Sequence, residues 1–139
     1  MIVECINNEQ AKAPDVFENG YRHPEYIYND ITPGAVYVVY GIGIFLDDLQ
    51  YLIRRDDGDA RWYSPYLFEV RDGRLPPYWE FKYNLIEGAH PLQRRGWRAL
   101  WGYRELVRSA AHRDALFEEV EADLEIFERE VARRAELGY

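Results

Sequence analysis

The chain has 139 residues and a mass of 16.5 kDa, enough for one domain that buries roughly two-thirds of its unfolded surface without help from a disulfide or a metal. Hydrophobic residues make up 47% and charged residues 30%, which excludes wholesale disorder. With 25 acids against 17 bases the formal charge is -8, a balance that repels phosphate backbones, so a nucleic-acid partner is not expected, and attracts basic protein surfaces.

In chain order, Ile2, Val3, Cys5 and Ile6 predict a first strand that ends at Asn7-Asn8. Residues 7–34 are broken by Pro14, Gly20, Pro24 and the turn-forming Thr32-Pro33-Gly34. AVYVVYGIGIF (35–45) is β-branched and aromatic throughout, as a strand buried on both faces would be. Asp47-Asp48 punctuates it, LQYLIRR (49–55) follows, and Asp56-Asp57-Gly58-Asp59 supplies a hairpin turn. RWYSPYLFEV (61–70) is the returning strand, with Pro65 marking a break. A second Asp-Gly turn, Asp72-Gly73, leads into LPPYWEFKY (75–83). There Trp79, Phe81 and Tyr83 alternate with Glu80 and Lys82, so these three rings are predicted to share the core-facing side.

Beyond Pro91 the pattern turns helical. Gly96 and Gly102 predict shorter helical pieces over 92–112, with Trp97 and Trp101 docking them on the sheet. Leu116, Val120, Leu124, Phe127, Val131 and Ala135 recur at steps of three and four and predict one amphipathic terminal helix. Glu125/Arg129 and Glu130/Arg134 fall at the i,i+4 spacing of surface ion pairs. Ile126 and Leu137 lie opposite the apolar arc, which predicts contact with the 92–112 segment or with a second copy of the chain, a homodimer through the C-terminal helix. The expectation is a single α+β domain over 1–139: a small antiparallel SH3-like β-barrel over about 1–85, then a helical part over about 92–137.

The single cysteine, Cys5, permits no internal disulfide, and the first ten residues lack a basic start followed by an apolar stretch. No run approaches the roughly 18 apolar residues of a membrane span. A cytoplasmic protein with no membrane attachment is the expectation.

VYVVYGI (36–42), YLI (51–53), WYSPYLFEV (62–70) and LPPYW (75–79), with GYRELVRSAAHRDAL (102–116) and EIF (125–127) downstream, resemble a pattern in small bacterial proteins with an SH3-like barrel and a helical tail. The resemblance covers about two-thirds of the chain and is carried by packing residues. Some proteins of this type are encoded beside polymorphic toxins. The resemblance implies an immunity factor that neutralises a basic, nuclease-like toxin by steric and electrostatic blocking, and assigns no catalytic residue. The alternative is an SH3-like peptide-binding or scaffolding module.

Chemistry is sparse in the motifs. Gly41-Ile42-Gly43 lacks the third glycine and the helix start of a dinucleotide fingerprint, and reads as a kink in a curved strand. His23, His90 and His112 are far apart, match no zinc spacing with Cys5, and are expected in loops or at the surface. Asp56, Asp57 and Asp59 sit in a turn between strands rather than in a calcium loop between helices. No cofactor or metal is expected, and an enzyme built on His23, His90 or glutamates is the weakest reading.

The partner-binding expectation rests on surfaces. Asp56, Asp57 and Asp59 put three like charges within four residues, with nothing in the sequence to show what the fold gains from them. Together with Asp47 and Asp48, expected at the far end of the same strand or on a neighbouring loop, they are expected to project negative potential toward a basic partner. Trp62 and Tyr63 are expected to add an aromatic face.

Overall fold

The computed structural model describes residues 1–9, 27–83 and 96–138. Among them the strands are β1 (Ile2–Cys5), β2 (Val36–Phe45), β3 (Asp48–Arg54), β4 (Ala60–Tyr63), β5 (Phe68–Asp72), β6 (Glu80–Tyr83) and β7 (Trp97–Gly102), with a 3-10 turn (Pro65–Leu67) joining β4 to β5. The helices α1 (Arg104–Arg108), α2 (Ala110–Phe117) and α3 (Glu121–Leu137) come last. The fold is α+β, an antiparallel sheet followed by helices, as the sequence predicts. His23, His90, Arg94 and Arg95 lie outside the described residues.

Strand β2 organises the sheet. Its whole inner length pairs with β3, from Val39↔Ile53 to Phe45↔Asp48. On its other edge the first part pairs with β1 (Ile2↔Val38 to Glu4↔Val36) and the second with β7 (Gly41↔Gly102 to Phe45↔Trp97). The sheet therefore forks halfway along β2, running on to β1 and β5 in one direction and to β7 and β6 in the other.

Two apolar cores follow, one on each face. Val3, Cys5, Ile31, Tyr37, Val39, Ile53, Tyr63, Leu67 and Phe68 fill the first. Tyr40, Leu52, Tyr103, Leu106, Leu116 and Phe127 fill the second, between the sheet and the helices. Because alternate residues of a strand point opposite ways, Leu52 serves the helical core while Tyr51 and Ile53 serve the other. The unbroken apolar run of β2 is thereby explained.

Gly41 and Gly102 face each other across β2 and β7, and the Leu106 side chain lies over both. A Cβ on Gly102 would come within 2.7 Å of Leu106 Cδ2, and one on Gly41 would also strike it. These glycines are used for close approach of a helix to the sheet, which is more specific than the kink the sequence suggests.

The helical part differs from the sequence reading in three places. Residues 97–102 form a strand rather than a helical piece. Trp97 and Trp101 are four apart, a spacing that would share one face in a regular strand as in a helix and so does not discriminate. The register shift opposite Phe45 turns Trp97 toward Trp62 and leaves Trp101 with Ile42 and Phe81 on the other face. The predicted continuous helix is broken after Phe117. There the Glu119 N–H bonds the Leu116 carbonyl, the Val120 N–H bonds the Ala115 carbonyl, and Glu119 takes φ +57°. This is a left-handed helix termination of the kind glycine normally supplies, as Gly138 does at φ +71° after α3. Leu124, Phe127 and Val131 still pack inward, while Val120 and Ala135 are exposed. Ile126 packs against the chain's own helical core, and Leu137 is exposed.

Helix α3 is held to the sheet by charged groups. Arg134, 1% exposed, donates from Nη1 to the Val39 carbonyl at 2.8 Å, beside the Tyr40 and Trp79 rings. The Tyr78 hydroxyl donates to Glu130 at 2.6 Å, and Arg133 covers the Tyr78 ring. Glu130 and Arg134 are thus buried docking residues, not the surface pair that their spacing suggests.

Two outcomes follow. Gly41→Ala should lose about 1–3 kcal/mol through overpacking against Leu106, while Gly73→Ala, whose nearest neighbour would be 3.9 Å away, should stay within about 0.5 kcal/mol; urea titration reads both. Burial raises the Glu130 pKa above its ordinary 4.5, against the opposing pull of Tyr78 and Arg134. Its favourable contribution is therefore complete below about pH 4.5 and lost as pH rises through the folded value. Glu130→Gln should gain on the wild type as pH rises, in melts between about pH 4 and 8.

Candidate interaction surfaces

The acidic hairpin tip is built inward more than the sequence reading assumed. Asp56 Oδ1 accepts from the Tyr37 hydroxyl and Oδ2 from the Thr32 hydroxyl, each at 2.7 Å. Burial first, and then this carboxylate, push the Tyr37 phenol up to about 12. The Arg55 guanidinium donates to Asp57 Oδ1 at 2.9 Å, Asp59 Oδ2 at 3.1 Å and Asp30 Oδ2 at 3.3 Å. Slight burial works against the ionised form of Asp57, yet Arg55 and the Asp59 N–H hold its carboxyl below the ordinary carboxylate range. The expectation that these charges do nothing for the fold is corrected: they surround one half-buried arginine and anchor one tyrosine.

Asp47 and Asp48 do not join this tip. They stand at the opposite end of β3, about 20 Å away at the rise of a strand. Asp47 remains largely exposed and pairs with Arg98 at 3.2 Å.

Trp62 and Tyr63 point to opposite faces. Trp62 is half-buried in the helical core, its ring centroid 4.3 Å from that of Trp97. Tyr63 is 2% exposed inside the other core, edge-on to Tyr28, with no ring surface to offer a partner. Its assignment to an exterior aromatic face is corrected by its register opposite Tyr51.

The exposed rings are elsewhere. Antiparallel partners share a face, and two adjacent rows cross the sheet from β3 to β6. They are Tyr51–Ile42–Trp101–Phe81 and Leu49–Ile44–Ala99–Tyr83. At the β3 side the first row enters the core. Toward β6 the rows open to solvent, with Phe81 54% and Tyr83 73% exposed; at the far end of the second row Leu49 on β3 is exposed too, with the buried Ala99 between. Phe81 stacks on Trp101 at 4.6 Å. The predicted face was right in its alternation and wrong in its burial. Trp79 packs against the first core, but β6 is joined to the sheet only through β7 among the described residues, so Phe81 and Tyr83 extend past it.

His112 is buried rather than peripheral. Its Nε2 lies 2.7 Å from the Tyr103 hydroxyl and its Nδ1 2.7 Å from Asp123 Oδ1. Burial pushes the Tyr103 phenol well up, which opposes any use as a nucleophile. The chain Tyr103–His112–Asp123 ties the starts of α1 and α3 to α2. Among the described residues no group of three or more His, Cys, Asp or Glu side chains is arranged to hold a metal ion, and no helix is long and apolar enough to cross a membrane.

Compared with protein-family models, curated proteins and solved structures, the chain matches none.

Asp56→Lys should cost about 1–3 kcal/mol, because the Tyr37 hydroxyl loses its acceptor in a largely buried site. Denaturant titration checks this, and a loss below about 0.3 kcal/mol would return the loop to a free surface role.

Proposed function

We propose that this protein acts by binding another protein, as an immunity-type factor that covers a basic, nuclease-like toxin domain. The observation that carries the reading is the set of exposed apolar side chains on β6 and the β2–β3 hairpin, where Phe81, Tyr83 and Leu49 are presented by the sheet. Aromatic anchors of this kind concentrate binding energy in protein interfaces. The net charge of -8 supports a basic partner, since opposite charge speeds encounter and disfavours wrong partners. Covering the toxin's substrate-facing surface would be sufficient for neutralisation and needs no catalysis by this chain.

A second reading, an SH3-like module for proline-rich peptides, is supported by the strand order β4-β3-β2-β1-β5 and by the 3-10 turn between β4 and β5. It would place recognition in an aromatic-lined groove for an extended segment.

The test is direct. The variable C-terminal domain of a large secreted protein encoded next door, made catalytically dead, should bind the wild type. Phe81→Ala/Tyr83→Ala should weaken that complex at least tenfold, about 1.4 kcal/mol, with the melting temperature nearly unchanged because both rings are exposed. Binding of a proline-rich peptide but not of the domain would favour the second reading.

A further inference from the structure

The junction of α2 and α3 combines three features that folding alone does not require. Phe117 is 84% exposed and Val120 42%, so an apolar knob stands in water at a helix end. Glu119 occupies a left-handed position, φ +57°, where glycine carries no steric penalty and a Cβ does. Around the knob, Asp114, Glu118, Glu119 and Glu121 are all exposed acids, with no base between Arg113 and Arg129.

The hairpin tip borders this junction. Glu119 lies 3.9 Å from Arg55, the arginine that gathers Asp57 and Asp59, and Glu128 pairs with Arg54 at 2.9 Å. Residues more than sixty positions apart in sequence thereby form one charged ridge, tied together at Arg54 and Arg55, beside the helix end that carries the exposed Phe117 ring.

We propose that this ridge is a recognition knob: Phe117, flanked by Val120, enters an apolar pocket within a cationic groove of a protein partner, while the surrounding carboxylates pair with the lysines and arginines at its rim. The charge around the knob selects the partner's chemistry, because the same carboxylates would repel a nucleic acid or an anionic membrane. The proposal rests on the reading of this chain as a binder of a basic protein, and gives that reading a second contact surface beside the sheet face.

The experiment uses the full chain against the same inactive toxin domain, by surface-based kinetics at low and high salt. Phe117→Ser should speed dissociation at least tenfold, since an anchoring ring acts mainly on koff. Glu118→Lys/Glu121→Lys should slow association several-fold at low salt, and the difference should shrink at high salt. Glu119→Gly keeps the left-handed elbow without its strain, so it should raise the melting temperature and leave dissociation close to that of the wild type. If the wild type binds and Phe117→Ser and Glu118→Lys/Glu121→Lys bind equally well, the knob is refuted and the sheet face stands alone. If the wild type itself does not bind, the reading of a basic partner fails, and the knob with it.

Discussion

The close approach of Leu106 to the backbone of Gly41 and Gly102 is the contact on which the rest of the arrangement turns. It brings α1 onto the sheet at the place where β2 passes from β1 to β7. With side chains at those two positions the helix would stand further off, and Tyr40, Leu52 and Phe127 would no longer close a second core. The tight packing of protein interiors makes such a displacement costly at every contact downstream. Two small residues thus allow one sheet to be buried on both faces in a chain of modest length.

The last helix is fastened by a different device. Its apolar arc supplies Leu124, Phe127 and Val131, but Arg134 and Glu130 reach the sheet through hydrogen bonds to Val39 and Tyr78. The Val39 carbonyl sits beside the register shift between Val39 and Gly41, where an extra residue interrupts the ladder. The Arg134 guanidinium reaches that carbonyl through Nη1, and the neighbouring Tyr40 and Trp79 rings favour a cation. Removing one partner of such a contact leaves a buried polar group unmet, which costs more than the contact itself contributes.

Much of the β-part was legible because its signals are local. The runs on either side of Asp57-Gly58 placed β3 and β4, that step placed the turn between them, and Pro65 marked the break where the 3-10 turn occurs. What failed depends on distance in three dimensions. A spacing of four between Trp97 and Trp101 suits a strand or a helix, so only the pairing with β2 and β6 decides for a strand, and the register shift opposite Phe45 turns Trp97 to the other face from Trp101. Phe81 and Tyr83 alternate like core residues, yet they are exposed because β6 lies at the end of the sheet, paired among the described residues with β7 alone. The helix break at Glu119 lacks the glycine that would have announced it. Of the candidate site, the acidic tip was found by composition, but its arginine partner was not, because Arg55 and Asp30 meet only through the fold. Phe117 was visible as an apolar residue beside Leu116 and followed by acids, and was passed over for the periodic arc.

The distribution of charge separates what serves the fold from what is left for a partner. At the hairpin tip, Asp57 and Asp59 enclose Arg55 while Asp56 serves Tyr37, so their field is largely spent within the molecule. Glu80 is taken up by Arg108 and Arg104 in the same way. From 114 to 128 the chain carries acids without an intervening base; Glu119, Asp123 and Glu128 meet Arg55, His112 and Arg54, while the exposed Asp114, Glu118 and Glu121 turn their field toward solvent. Screening limits its reach to about 10 Å at moderate salt, which is the range over which an approaching surface is oriented before contact. An acidic ridge cannot by itself hold a partner for long, since exposed ion pairs contribute about 0–1 kcal/mol each. Durable binding needs apolar area desolvated on contact, and among the described residues the exposed rings of Phe117, Phe81 and Tyr83 can supply it.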